Sequence, residues 1–387
     1  MTAVAPPRHA GSTAARQLDW SLLVAVIALL ALGCLLVWSA TAHRPSLTGG
    51  DPQAYLLKQI LNILIGVVIA VPVAMIDHRR LRLYAPACYL VVVAGLVLVL
   101  VLGATVNGSQ SWIRLPGGFS LQPGEFAKVA IVVGMAVVLA ERRDNARRST
   151  RSARSDLLWA LAVAAVPIGL VAIQPDLGTV FVLLVTGFGV LALAGTPLRF
   201  LAGLVLVAAT AGYAAVRVGL LEGYQLARLT AFVNPGVDPE GIGYNAEQAR
   251  VAIGSGGLFG AGLFHGSRTS GAYVPEQHTD FVFTVAGEEL GFVGSSALLL
   301  LLAFVLWRGV RIARAAPDLF GRLLAGGVVC WFAAQIFENV GMTLGLMPIT
   351  GLPLPFVSYG GSSMVACLVA VALLENVHLR GQDVAPV

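Results

Sequence analysis

Glu276, His278 and Asp280 stand in the stretch Tyr273-Val-Pro-Glu-Gln-His-Thr-Asp-Phe-Val-Phe283, where a long polar loop runs into an apolar segment. A carboxylate at such a junction can act as general base towards a hydroxyl, provided desolvation lifts its pKa from about 3.9 towards neutrality. Glu276 and His278 are placed to orient it or to bind a polar substrate. Glu288 and Glu289 follow Asp280 by roughly two helical turns. The plain alternative is a helix start with Thr279 or Asp280 as N-cap. The stretch alone leaves both readings open.

A second candidate pair is Glu125 and Lys128, spaced i, i+3 at the start of an apolar run. They can pair with each other. Yet Lys58 and Lys128 are the only lysines, and a lysine that the next apolar stretch buries also suits an anionic group. Trp112 in the preceding loop fits an interfacial anchor. Gln174-Pro175-Asp176-Leu177-Gly178 is a tight turn that turn chemistry by itself explains. Residues 347–363 hold too many prolines and glycines for a regular helix, which suits a segment lining a wet cavity.

The elements that must position these groups are membrane helices. Of 387 residues 57% are hydrophobic and only 12% charged, with mean hydropathy +0.83. A soluble domain carries about 25% charged residues. Apolar runs fall at 20–42, 57–76, 82–103, 123–140, 157–173, 177–194, 198–216, 281–307, 322–345 and 362–379. This spells an all-α integral membrane protein of ten spans. The first run ends Ala40-Thr41-Ala42, like a signal-peptidase site, but its length reads as a retained helix.

Arginine placement sets the orientation. With a cytoplasmic N-terminus, the inner segments hold Arg79, Arg80 and Arg82, then Arg142 to Arg154, then Arg308, Arg311, Arg314 and Arg322. The short outer loops and their edges hold Arg44, Lys58 and Arg114. Both termini are then cytoplasmic, with 1–19 and 381–387 as tails around one domain at 20–380. The loop 217–280, between helices 7 and 8, is extracytoplasmic and has helical patterning at 244–253. Net charge +5 reflects these connectors, not a nucleic-acid surface. Cys34, Cys88, Cys330 and Cys367 all lie in apolar runs, so no disulfide framework is implied.

Some chemistries are excluded. There is no His-Glu-x-x-His, neither lysine follows a glycine as a Walker A loop requires, and Tyr55 and Glu125 stand where Ser-x-x-Lys needs serine.

Together the polar stretches resemble the SEDS family (shape, elongation, division and sporulation). The resemblance rests on the Trp112-Ile113 loop, Gln122-Pro-x-Glu-Phe-Ala-Lys128, Gln174-Pro-Asp-Leu-Gly178, Gly241-x-Gly-Tyr-Asn245, Ala252-Ile-Gly-Ser-Gly-Gly257, Pro275-Glu-x-His-Thr-Asp-Phe281, Glu288-Glu-Leu-Gly291 and Pro353-Leu-Pro-Phe-Val-Ser-Tyr-Gly-Gly361, in family order. Thr350 and Gly351-Leu-Pro-Leu-Pro355 look like the elongation branch more than the division branch. Ser111 and Gly124 depart from a common arginine and serine; nearby Arg114 is the substitute cation.

The resemblance implies a peptidoglycan glycosyltransferase that polymerises lipid II into glycan strands at the outer face of the bacterial cytoplasmic membrane, during elongation and shape maintenance. It implies a class B penicillin-binding protein as partner, beside membrane lipids and the growing strand. Asp280 matches the family's essential aspartate. Substrate binding would fall to Trp112, Arg114, Glu125, Lys128, Gln174, Asp176, Glu276, His278, Thr279, Ser358, Tyr359 and Ser362. Lys128, Arg114 or a divalent cation such as Mg or Mn would stabilise the leaving diphosphate. The competing expectations are a lipid II flippase, a division-branch polymerase and a non-catalytic scaffold.

Overall fold

Each apolar run becomes a helix. The computed structural model describes residues 17–76, 78–106, 109–114, 120–146, 153–219, 223–233 and 242–382. The helices are α1 (Trp20–Ala42), α2 (Ala54–Met75), α3 (His78–Leu102), α4 (Pro123–Ala146), α5 (Ala153–Ile173), α6 (Leu177–Leu193) and α7 (Leu198–Val218). Then come α8 (Gly223–Val233) and α9 (Ile242–Ser255) in the long loop, followed by α10 (Val282–Ala315), α11 (Leu319–Thr343) and α12 (Gly361–Gln382). Among the described residues eight helices are long and apolar enough to cross a membrane; the apolar stretches of α5 and α6, Leu157–Ile173 and Leu177–Leu193, are shorter.

Aspartates set three helix starts. Asp19, Asp176 and Asp318 accept from Leu22 N, Thr179 N and Gly321 N at the heads of α1, α6 and α11. Such caps stabilise by ~1 kcal/mol each. Asp19 was expected in the N-terminal tail; it is buried, and Arg308 bonds its carboxylate while Glu375 accepts from its backbone N–H. The rest of that tail, 1–16, and residues 383–387 lie outside the described residues. So do Asn234-Pro235, Asp238-Pro239, Gly241 and the arginines at 147, 148 and 151.

The core lies where α4, α6, α11 and α12 meet, with α10 and α1 packed beside it. Helix burial is uneven. The apolar stretch of α12 is 83% buried, that of α7 only 6%.

Two features depart from the sequence expectation. First, residues 104–121 include a small antiparallel sheet rather than loop alone: β1 (Ala104–Val106), β2 (Ser109–Arg114) and β3 (Ser120–Leu121). It pairs Ala104 with Trp112 and Ile113 with Leu121. Second, α10 is not one continuous span. Gly291 has φ 66° and ψ −166°, which breaks the helix. The loop 257–262 fills the break: Ala261 N and Gly262 N donate to the carbonyls of Glu288 and Glu289, and Phe292 N and Val293 N donate to those of Gly257 and Leu258. The freed backbone groups are thereby satisfied inside protein. Residues 282–289 are all buried.

Candidate active site

The junction that holds Asp280 is clamped from three directions. Arg44, just past α1, donates to Val274 O (3.0 Å) and to Gln277 Oε1. Tyr359 N donates to His278 O at 2.8 Å. Asn339 of α11 donates through Nδ2 to Asp280 O (2.7 Å) and Leu352 O (2.6 Å), joining two loops. The N-cap of α10 is Phe281, and it makes no side-chain cap bond. Neither Thr279 nor Asp280 caps that helix. Thr279 Oγ1 instead donates to Glu276, and the Asp280 carboxylate faces a cavity.

That cavity, of about 190 Å3, opens at the loop-rich end of the bundle. It brings together Trp112, Glu125, Asp176, Glu276, Thr279, Asp280 and Tyr359 of the expected site residues. Asp176 caps α6 and lines the cavity at once; its Oδ2 accepts from Thr179 Oγ1 (2.8 Å) and Gln122 Nε2 (3.2 Å). Glu125 is buried, turns Oε1 to Lys128 and leaves Oε2 without a partner.

The other expected residues stand behind the wall. Lys128 is fully buried, with Nζ 2.7 Å from Glu125 Oε1, 2.9 Å from Gln335 Oε1 and 5.4 Å from the centre of the Trp331 ring. Gln174 Nε2 donates to Leu96 O. Ser358 Oγ accepts from Leu354 N and closes a turn within its own loop, and Ser362 Oγ accepts from Gln122 N and ties α12 to the segment before α4. His278 is buried edge-on against Tyr55 at 4.9 Å. Arg114 is exposed on β2 and does not line the cavity. Glu288 and Glu289 face the other way: Glu288 accepts from Arg268 N, Thr269 N and Thr269 Oγ1, and Glu289 from Ser39 Oγ.

The structure adds groups the sequence reading passed over. Arg228 of α8 lines the cavity, and its Nη1 donates to Thr350 O at 2.9 Å. Glu338, fully buried in α11, accepts from the Thr350 hydroxyl, and its Oε2 has no protein partner. A lone carboxylate inside an apolar run was the available signal for Glu338. Arg228 gave no such signal, since α8 sits in a loop 52 positions before Asp280.

Burial pushes the Asp280 carboxyl up to about 7; the negative charge of Glu276 adds to this, and Arg228 opposes it. Burial also raises Asp176, lowers His278 and pushes the Tyr359 hydroxyl up to about 12. A carboxyl lifted in this way can serve as general base towards a hydroxyl. Among the described residues no three His, Cys, Asp or Glu side chains converge on a point that would hold a metal ion.

The FtsW/RodA/SpoVE family model, described as "Cell cycle protein", matches residues 20–382. A probable peptidoglycan glycosyltransferase FtsW from Trichlorobacter lovleyi is 38% identical over 372 residues, covering 96% of this chain and 95% of that one. The peptidoglycan glycosyltransferase MrdB of Escherichia coli is 37% identical over 362 residues, with 94% of each chain covered. A chain from a solved peptidoglycan synthase complex, described as coordinating polymerization and crosslinking, is similar with TM-score 0.77 and 32% identity over 94% of this chain and 98% of that one.

Proposed function

The chain belongs to the FtsW/RodA/SpoVE family, called SEDS, and we propose that it polymerises lipid II with Asp280 as general base. It is a peptidoglycan glycosyltransferase, as its relatives are named. One observation carries the base assignment: the Asp280 carboxylate does not cap α10 and instead faces a cavity shared with Glu276 and Arg228, with its pKa lifted to about 7.

In this reading Asp280 takes the proton from the acceptor sugar hydroxyl as that oxygen bonds to the donor's anomeric carbon. The bond from that carbon to the diphosphate oxygen breaks, and the polyprenyl diphosphate leaves as an anion. One displacement of this kind inverts the anomeric centre. Glu276 and Thr279 border the acceptor, and Trp112, Asp176 and Tyr359 form the facing wall. Glu125 belongs to that wall, and Lys128, Gln174, His278, Ser358 and Ser362 hold it in place.

The proposal extends to topology. The eight long helices with α5 and α6 make ten spans of one domain over 20–380, both termini cytoplasmic and 217–280 outside. The cavity then opens on the outer face of the bacterial cytoplasmic membrane. A class B penicillin-binding protein supplies crosslinking, a reading supported by the likeness to a synthase complex. FtsW- and MrdB-named relatives match this chain equally well, so the elongation assignment rests on Thr350 and Pro353. Depleting the protein separates the branches: rounded cells mark elongation, filaments mark division.

The test of activity is lipid II polymerisation by purified protein, alone and with its penicillin-binding protein, for wild type and Asp280→Ala. Glycan chains from wild type alone are expected. Lipid translocation without chains would turn the reading to a flippase.

A further inference from the structure

The departing diphosphate needs cations, and neither of the two expected ones lines the cavity. Lys128 is fully buried and held by Glu125, Gln335 and the Trp331 ring. Arg114 is exposed on β2 and is not among the residues that line the cavity. Arg228 does face the cavity, and it also lines a second recess of about 60 Å3 on its other side.

That recess lies between α8, α9 and the turn after α11. Arg250 of α9 borders it with Arg228, over a floor that includes Met342 and Met347. At its edge Phe232 is 41% exposed, and the neighbouring Leu346 is 65% exposed. Arg250 pairs with Glu247, one helical turn away, and both side chains are about half exposed. Exposed i, i+3 pairs are weak and exchange readily for a better anion. Guanidinium groups match phosphate oxygens through paired N–H donors.

We propose that the Arg228–Arg250 recess is a diphosphate-binding subsite for a polyprenyl-linked substrate or leaving group, joined to the Asp280 cavity through Arg228. The two arginines meet the diphosphate, and the exposed apolar edge meets the first isoprene units. The inference rests on the polymerase reading for the identity of its ligand, while the site itself is testable without turnover.

The test titrates farnesyl diphosphate, inorganic pyrophosphate and farnesol into the purified full-length protein by calorimetry. It compares wild type, Arg250→Gln and Glu247→Gln, each checked for an unchanged melting temperature. Arg250 is exposed, so its variant is expected to fold. Farnesyl diphosphate should bind wild type, weaken at least tenfold in Arg250→Gln, and bind Glu247→Gln as tightly as wild type or more so. Pyrophosphate should bind more weakly than farnesyl diphosphate, and farnesol should not distinguish Arg250→Gln from wild type. Equal affinity of wild type and Arg250→Gln for farnesyl diphosphate would overturn the subsite. Pyrophosphate binding as tightly as farnesyl diphosphate would overturn its lipid character. Polymerisation of lipid II runs alongside. Chains from wild type with no Arg250 effect on binding remove the subsite and leave the function. Arg250-dependent binding without chains does the reverse.

Discussion

Two carboxylate–cation groups sit within one wall of this molecule, and they are built to opposite ends. Glu125 and Lys128 close on each other at 2.7 Å, with Gln335 and Trp331 completing the shell. Asp280 and Arg228 face the same cavity from different elements, and Arg228 spends one donor on the backbone of Thr350. The first group is a strut that keeps the Lys128 charge satisfied inside protein, with one Glu125 oxygen left open at the cavity. The second leaves a carboxylate and a guanidinium available to a ligand. Residue type does not separate the two; what does is the number of donors and acceptors already committed.

The largest effect expected from breaking this contrast is on rate. Asp280→Asn should cut polymerisation by about 10²–10⁴-fold, the usual contribution of a positioned base, while melting temperature stays near wild type. Retained activity would remove Asp280 from the base role. Next comes stability. Lys128→Met leaves the buried Glu125 charge unpaired, a loss of about 3–5 kcal/mol for a buried pair broken from one side. Adding Glu125→Gln should recover most of it, as read by thermal unfolding in detergent. If the single variant melts like wild type, the strut description fails.

The pH dependence sharpens the comparison further. As a base Asp280 works deprotonated, so activity should rise with a midpoint near pH 7 and level off above it. Stability runs the other way. A carboxyl whose folded pKa is raised holds its proton in the folded state but not in the unfolded state between about pH 4 and 7. Its contribution is therefore lost as pH rises through that window. Asp280→Asn should flatten both curves; an activity profile with no inflection between pH 6 and 8 would count against the assignment. The smallest effect belongs to Gly351, at φ 81° with an added Cβ 3.2 Å from Asp280 Oδ2. Gly351→Ala should cost about 1–2 kcal/mol of stability from its left-handed backbone and lower the rate modestly, measurable as kcat at saturating substrate.

The spans were legible because apolar runs of membrane length have one stable form, the helix. The strands were not, since β3 is two residues long and β1 three, too short for an alternating pattern to register. Asp280 was legible as an acidic residue at a polar–apolar border, and Lys128 as a lysine entering an apolar run. Their different fates were not, because those depend on Gln335 and Trp331, 207 and 203 positions beyond Lys128. Arg228 escaped notice for the same reason: only the fold carries α8 to the 350 loop. The break in α10 was hidden because Gly291 lies within the apolar run 281–307, where a single glycine does not by itself mark a break.

That break has a consequence for how mutations distribute. Loop 257–262 mends it with backbone groups alone, so the contact is indifferent to what Leu258 and Phe259 carry, and both side chains are exposed. It is intolerant of any side chain at the crossing itself. A Cβ at Gly291 would come 2.2 Å from Gly260 N, and one at Gly260 would come 2.1 Å from Glu289 O. A saturation scan should therefore read this joint as isolated columns of lethality between permissive neighbours, a pattern set by empty space where most structural joints are marked by bulk.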